Sequence, residues 1–204
     1  MLAWHFLAGD KRLGNGDGRL VEAGETLECK GDPKLCVNGM HGSVRLIDAL
    51  KYASGPIVCR VKIEGDVIEG EDKLCGRRRT VLWLLDATRL LHEFACQCAE
   101  DALALVAQPD PRSVAAIEAK RKWLNGKITD EELDSASAAA SAAAWDAPLA
   151  SRYAARAAAE AASRYAARSA ASAVAWDGAR DAAWAKQNER LTEMVMEAHE
   201  NDEE

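Results

Sequence analysis

Residues 58–63 read VCRVKI, a run in which two kinds of side chain alternate. A period of two is typical of a β-strand with one buried face, because successive side chains point to opposite sides of a sheet. The predicted core face consists of Cys59, Val61 and Ile63, and the opposite face of Val58, Arg60 and Lys62. A second run, TVLWLL at residues 80–85, lacks this alternation and predicts a central strand buried on both faces.

Other signals near the N-terminus predict short elements around this sheet. Residues 4–7 are a candidate first strand, and the glycines of residues 14–18 indicate a hairpin turn. Residues 44–53 carry apolar side chains at helical spacing, and Gly55 with Pro56 ends that helix.

The domain organisation follows from a change in sequence pattern. A helix over residues 87–107, capped by Asp86, is expected to cover the sheet. We therefore predict an α+β fold, with a small mixed β-rich domain over residues 1–107. An alanine-rich α-helical bundle follows over residues 108–198, and residues 199–204 form an acidic tail whose last four residues are disordered.

Local signals divide the second half into helices. Thr129 and Glu132 form a capping box, and Pro148 interrupts the helix that the box begins. The helices predicted from these signals span residues 114–124, 130–145, 148–171 and 173–198. A break near residues 169–172 is favoured, with Gly178 as the alternative.

Alanine dominates this half, and it favours helix while burying little apolar area. Either the helices approach closely through small faces, or large side chains act as anchors between them. The candidate anchors are Trp145, Tyr153, Tyr165, Trp176 and Trp184. Assembly of several copies through the alanine-rich helices is one reading of this composition.

The phrase SRYAAR occurs at residues 151–156 and again at residues 163–168. Its arginines lie four residues apart, so each pair shares one helix face. Arg156, Glu160 and Arg164 are spaced as an ion-pair ladder. The simplest interpretation is a solvated helix face, and the alternative is a surface for an anionic ligand or partner.

The charge and hydropathy of the chain limit its partners. A formal net charge of −7 gives no general attraction for nucleic acid or acidic membranes. No apolar run approaches the ~20 residues that span a bilayer, and no basic residue precedes the first apolar run as in a signal peptide. We expect a cytoplasmic protein without membrane contact, and nucleic acid is not an expected partner.

The chain has six cysteines, and none is paired at CxxC spacing. Cys29, Cys36 and His41 could contribute to a partial zinc site, but structural zinc sites usually need a fuller ligand set. We interpret the cysteines as small buried hydrophobes in a reducing compartment. No metal and no cofactor is predicted.

Residues 39–43, GMHGS, are the best candidate site, because glycines flank an imidazole just before a predicted helix N-terminus. Amides at such a terminus favour a phosphate, and the alternative is that Ser43 only caps the helix while His41 fills a turn. The predicted ligand-binding residues are His41, Ser43, Arg45, Lys51, Tyr52 and Arg60, with Arg152, Arg156 and Arg164 in the helical half. The run RRR at residues 77–79 is interpreted as solvated, with contact to phosphates as the alternative.

The N-terminal half resembles a small domain of uncharacterised function found in phage and prophage proteins. The resemblance covers about residues 1–100, and the stretches that carry it are 3–7, 16–19, 24–25, 35–43, 48–53 and 58–61. The second half resembles an Ala/Trp/Arg-rich helical region often appended to that domain and sometimes labelled immunity-like. The resemblance implies a phage or prophage origin and a role in host–phage conflict.

A fainter likeness is to the ADP-ribosyltransferase core. There, a glycine-rich phrase with a hydroxyl residue precedes a helix containing AxxYA and a strand similar to VCRV. The corresponding stretches here are residues 39–43, 49–53 and 58–61. This likeness hints at a fold, and it implies an enzyme acting on NAD or a nucleotide as an alternative.

The leading hypothesis is a phage-type, non-enzymatic binding protein that inhibits or sequesters a component of bacterial defence. Its target would be a nucleotide-like small molecule, such as a nucleotide-derived signal, or a host defence protein. The first alternative is the ADP-ribosyltransferase-like enzyme. The second is a structural protein that forms homo-oligomers through its alanine-rich helices.

Overall fold

The computed structural model describes residues 1–14, 17–165 and 180–202. It has the predicted α+β architecture, with antiparallel sheets first and helices after them. Strands β1–β7 span Leu2–Leu7, Thr26–Glu28, Met40–Gly42, Ile57–Glu64, Ile68–Glu69, Leu74–Gly76 and Arg78–Asp86. Helices α1–α6 of the described ranges span Leu46–Lys51, Thr88–Ala104, Pro111–Leu124, Asp130–Asp146, Leu149–Ala161 and Arg180–Asp202.

The described residues form two compact units. The first contains those within Met1–Ala87 and Arg190–Glu204, and the second those within Thr88–Glu189. The first unit is therefore discontinuous in sequence, and α6 contributes residues to both units. The prediction from sequence placed a single boundary near residue 107 and a separate tail after residue 198.

The first unit is built on two antiparallel sheets. One has four strands in the order β1-β4-β7-β2, and the other has three in the order β3-β6-β5. Backbone hydrogen bonds between Trp4 and Ser43 bridge β1 to the residue that follows β3. Strand β4 contains the VCRVKI run, and its predicted core face is buried. That core comprises Ala3, Leu7, Val21, Leu27, Met40, Ile57, Cys59, Val61, Ile63, Leu74 and Val81.

Strand β7 is interior to its sheet as predicted, but it is not buried on both faces. Arg60 pairs with Trp83 while Val61 pairs with Val81, so Leu82 is an extra residue without a partner on β4. Such a bulge turns its side chain out of the regular alternation, and Leu82 is 43% exposed. The prediction failed here because a bulge depends on the register between two strands.

Helix α1 is shorter than the helix predicted over residues 44–53, and it begins differently. Its N-cap is Arg45, whose side chain makes no capping hydrogen bond. The prediction that Ser43 caps this helix is therefore wrong. The backbone of Ser43 pairs with Trp4 instead, which holds the residue beside the sheet.

Helix α2 belongs to the helical unit. It packs against α3 and α5, and the predicted cover of the sheet by this helix stays a prediction. The capping box predicted at the start of α4 is confirmed: Thr129 Oγ1 accepts from Glu132 N, and Glu132 Oε2 accepts from Thr129 N. Pro148 precedes α5 as its N-cap residue.

Helix α5 ends earlier than residue 171 because the residues after it bind neighbouring helices. The carbonyl of Ser163 accepts a hydrogen bond of 2.7 Å from Lys120 Nζ on α3. Arg164 forms ion pairs of 3.1 Å with Asp130 and Asp134 on α4. The predicted ladder from Arg156 through Glu160 to Arg164 is wrong at its last member, because Arg164 lies beyond the helix.

Close packing of small faces is the arrangement that the helical unit adopts. Six alanines of α5 and the next residue, Ala162, are buried within the chain. Trp145 and Tyr165 are 83% and 69% exposed, so they are not the predicted packing anchors. Trp176, the predicted break near residues 169–172 and its alternative Gly178 lie outside the described residues.

Helix α6 returns the chain to the first unit. Leu191 and Val195 are fully buried, and the His199 imidazole stacks on Trp83 at 4.0 Å between ring centroids. The helix continues through Asn201 and Asp202, where the sequence predicted a disordered tail. Among the described helices, none combines the length and the hydropathy needed to cross a bilayer.

Candidate anion-binding pocket

The first unit contains a pocket of about 930 Å³ on the core side of the four-stranded sheet. Strand β1, the loop before β3, β3 itself, residues of α1 and β7, and Lys73 just before β6 contribute to its lining. Three lining residues, Cys36, Tyr52 and Lys73, are exposed or half-buried, and we call them the pocket mouth. Arg79 is a charged side chain of the lining that is buried.

Arg79 lies on β7 opposite Ile63 of β4, and both side chains are directed to the core face. Only 2% of Arg79 is exposed. Its Nη1 donates to the His41 carbonyl at 2.9 Å, while its Nε has no hydrogen-bond partner. Within the described residues, no carboxylate forms an ion pair with it. Burial lowers the pKa of Arg79 to about 10, so the guanidinium remains charged at neutral pH.

Two imidazoles lie beside this guanidinium. Nε2 of His41 accepts the Cys36 backbone N–H at 3.2 Å, and Nδ1 lies 2.9 Å from the Gly39 carbonyl. Because a backbone N–H can only donate, the proton of neutral His41 must be on Nδ1, which donates to Gly39. Burial, with smaller contributions from Lys73 and Arg79, lowers the pKa of His41.

His5 on β1 has the same electrostatic surroundings. Burial holds the pKa of His5 well below its usual 6.5, and the nearby Arg79 and His41 lower it further. Both imidazoles are therefore neutral at physiological pH, so the charge at the base of the pocket comes from Arg79.

The pocket mouth combines a cation, an aromatic ring and a thiol. Lys73 Nζ lies 4.3 Å from the centre of the Tyr52 ring, and the Tyr52 hydroxyl donates to Asp72 at 2.8 Å. Hydrogen bonding to the side chains of Cys36 and Tyr52 raises the pKa of Lys73. Lys73 is therefore protonated at the entrance, where its ammonium lies over the Tyr52 ring. Asp72 fixes that ring by accepting the hydrogen bond of its hydroxyl.

A second charged pair on the lining is already neutralised. Arg19 binds Asp17 through two hydrogen bonds, of 2.6 Å from Nε and 2.7 Å from Nη2. Hydrogen bonding to Arg19 lowers the pKa of Asp17. The bidentate geometry leaves Arg19 little capacity for a ligand, which distinguishes it from Arg79.

The structure brings some of the predicted site residues together. His41, Ser43 and Tyr52 line the pocket. Arg45 and Lys51 instead hold the carboxylate of Asp48, at 2.6 Å and 3.2 Å. That carboxylate lies in the first turn of α1, where the sequence predicted an external phosphate.

The remaining predicted residues lie elsewhere. Arg60 is on the opposite face of the sheet, with its guanidinium 4.4 Å from the centre of the Trp4 ring. Arg152, Arg156 and Arg164 belong to the helical unit, and Arg164 is bound to acidic residues of α4. The predicted ligand-binding set is thus divided between the pocket, the other sheet face and another unit.

The sequence interpretation missed Arg79, Lys73 and His5. The sequence favours a solvated basic run for Arg79, with contact to phosphates as the alternative. The available signal was its spacing of two from Val81, which places it on the same strand face as a core residue. Lys73 and His5 have no comparable local signal, because long-range strand pairing brings them to the pocket.

The described cysteines and acidic residues do not assemble a metal centre: no group of three or more potential ligands lies together in the described ranges. The partial site of Cys29, Cys36 and His41 is therefore not completed there. Cys59, Cys75, Cys96 and Cys98 are buried thiols as predicted, whereas Cys29 is half-buried and Cys36 exposed. Burial raises the pKa of Cys59 to about 12 and of Cys96 to about 11.

Comparison with known families matches residues 10–93 to DUF7666, a domain of unknown function. The matched residues include Arg79 and the pocket mouth, but they leave out β1 with His5. A search of the curated proteins found no match, and a search of the solved structures found none.

Proposed function

We propose that the pocket binds a small molecule carrying a phosphate or carboxylate, and that the protein acts through this binding. The observation that carries the proposal is Arg79, a buried guanidinium on the pocket lining without an ion-pair partner among the described residues. Burial of an uncompensated charge is unfavourable. A ligand oxygen at Nε would supply both the missing charge and the missing acceptor.

The groups around Arg79 support binding more than catalysis. A general base needs a nitrogen free to accept a proton, and both ring nitrogens of His41 are engaged by the backbone. Ser43 is 1% exposed, and its backbone is paired with Trp4. The serine and histidine that could form a nucleophilic pair are thus both held in structural roles.

The size and the mouth of the pocket support a nucleotide-like ligand. A volume of about 930 Å³ lies within the ~300–1,000 Å³ usual for small-molecule sites. A phosphate at Arg79 would leave the rest of the ligand near Tyr52, whose ring can pack against a base. Lys73 beside that ring adds positive charge for further phosphates.

Together with the resemblance to phage and prophage proteins, these features support a more specific role. The protein would sequester a nucleotide-derived signal of bacterial defence in the host cytoplasm. Inhibition of a host defence protein is the alternative form of this role, in which the pocket would receive an anionic group of that partner.

Isothermal titration with AMP and adenosine tests the proposal, because the two differ only in the phosphate. We expect AMP to bind at least about tenfold more tightly, as one charge-assisted hydrogen bond contributes roughly 1.5–3 kcal/mol. Arg79→Met should remove the preference for AMP. Arg60→Met is the matched control, since Arg60 also forms no ion pair within the described ranges but lies on the other sheet face.

Equal affinity for AMP and adenosine, or an unchanged preference in Arg79→Met, would overturn the proposal. Circular dichroism of both variants establishes that they are folded. Incubation with NAD followed by mass spectrometry distinguishes the enzymatic alternative, because turnover of NAD or modification of the protein would favour catalysis.

A further inference from the structure

Cys36 is the one cysteine of the six whose side chain is exposed, and it lines the same pocket as Arg79. The other five are buried or half-buried. A thiol reagent that enters the pocket therefore meets Cys36 at the mouth before it reaches the buried guanidinium.

The position of Cys36 is fixed by its backbone. Its φ is 64°, a left-handed conformation that disfavours a non-glycine residue. The N–H of Cys36 donates to His41 Nε2, and the His41 carbonyl accepts from Arg79. Reciprocal backbone hydrogen bonds between Lys34 and Asn38 close the loop around Cys36. His41 thus connects the backbone of Cys36 to the guanidinium of Arg79.

Two cations act on a molecule at this mouth. Lys73 and Cys36 both lie at the pocket mouth, so an anionic molecule that approaches the thiol also approaches an ammonium. Arg79 is almost fully buried at the base of the pocket with an unpartnered Nε, which independently points to an anionic ligand. An anionic reagent is therefore attracted to the position from which Cys36 can attack it.

We propose that Cys36 is a modification site, at which the thiolate exchanges with an anionic low-molecular-weight disulfide drawn to the pocket by Lys73 and Arg79. The thiolate attacks one sulfur of the disulfide, and the bond between the two reagent sulfurs breaks. The second reagent sulfur leaves as a thiolate and takes a proton from solvent. Cys36 is oxidised, and the disulfide is the oxidant.

The mixed disulfide places an anionic group in the pocket mouth, so it competes with the ligand of the proposed function. Modification therefore turns ligand binding off, and a reducing thiol restores it. The loss of ligand binding rests on the proposed function. The charge preference of the exchange at Cys36 can be measured independently of any ligand.

The experiment compares oxidised glutathione, an anionic disulfide, with cystamine, a cationic one. Reduced protein is treated with each at low ionic strength, and the modified cysteine is identified by peptide mass spectrometry. Rates are expressed relative to those of a short cysteine peptide. Relative to the peptide, we expect Cys36 to react about three- to tenfold faster with glutathione disulfide than with cystamine. This preference should be lost at high salt.

Variants assign the preference to the two cations. Lys73→Gln and Arg79→Met should each reduce it, whereas Lys127→Gln, an exposed lysine of the helical unit, should leave it unchanged. Glutathione-modified protein should lose AMP binding in titration, and dithiothreitol should restore it.

An exchange rate indifferent to reagent charge would overturn this inference, as would modification at another cysteine. Formation of an intramolecular disulfide with Cys75 or Cys29 in place of the adduct would also overturn it. Reduced wild-type protein that binds AMP but shows no charge preference contradicts only the Cys36 site. Reduced protein that binds no AMP contradicts the proposed function, whatever the exchange rates are.

Discussion

Arg79 and His92 are buried basic side chains, and burial disfavours the protonated form of each. Arg79 keeps its proton because its ordinary pKa is so high that even the lowered value is about 10. His92 is 1% exposed on α2, and its ring meets Trp123 edge-on at 5.5 Å. Burial, with a smaller effect of Lys120, lowers the pKa of His92 to about 4. It is therefore neutral at physiological pH.

The lowered pKa of His92 predicts a loss of stability in acid. The unfolded chain takes up this proton near pH 6.5 and the folded chain only near pH 4, so stability falls as pH decreases between these values. The loss of stability through His92 between these two pH values is roughly 3 kcal/mol. Urea unfolding between about pH 7 and about pH 4 measures it.

His92→Phe keeps a ring against Trp123 but cannot be protonated. We expect this variant to lose less stability than the wild type over the same pH interval. If both proteins have the same pH dependence, His92 is not the group responsible.

The strands show which residue positions could be predicted from sequence. The alternation in VCRVKI placed Cys59, Val61 and Ile63 correctly, because a period of two needs no knowledge of the partner strand. The outward turn of Leu82 could not be predicted, since it results from a shift in register between β4 and β7. The position of Lys73 at the pocket mouth could not be predicted either, because it also depends on long-range strand pairing.

Helix α4 is an element whose beginning is determined locally. Thr129 and Glu132 satisfy each other's backbone N–H groups, and all the atoms involved lie within four consecutive residues. The end of α5 has a different origin, because Lys120 and two aspartates of other helices bind the residues after it. The sequence therefore predicted the start of α4 and not the end of α5.

Removal of the cap tests the local origin of the α4 start. We expect Thr129→Ala to lower the free energy of unfolding by about 1 kcal/mol, because Glu132 N loses its acceptor. Ser135→Ala, an exposed change in the same helix, should raise it by a few tenths of a kcal/mol, since alanine is the better helix former. Chemical denaturation compares the two, and equal effects would contradict the capping role.

At the scale of the whole molecule, the first unit depends on a segment from the opposite end of the chain. Leu191 and Val195 are fully buried, and His199 stacks on Trp83 of β7. The domain boundary predicted near residue 107 does not include this return, because no local pattern in α6 identifies the sheet as its neighbour.

Hydrogen exchange can measure this dependence. In the double variant Leu191→Ala/Val195→Ala, we expect amides of β4 and β7 to exchange faster, because burial of two large apolar side chains is lost at a cost of roughly 4 kcal/mol. Glu193→Ala, on the exposed side of the same helix, is the control. Unchanged protection of both strands in the double variant would show that α6 does not stabilise the first unit.

The return of α6 also has a consequence for synthesis on the ribosome, where the N-terminus emerges first. Most of the second unit is continuous and can become compact once residue 189 has left the exit tunnel. The first unit, which contains Arg79 and Cys36, is complete only when α6 has also been synthesised. The strands of the first unit are therefore synthesised before the second unit, but their unit is completed after it, once α6 has emerged.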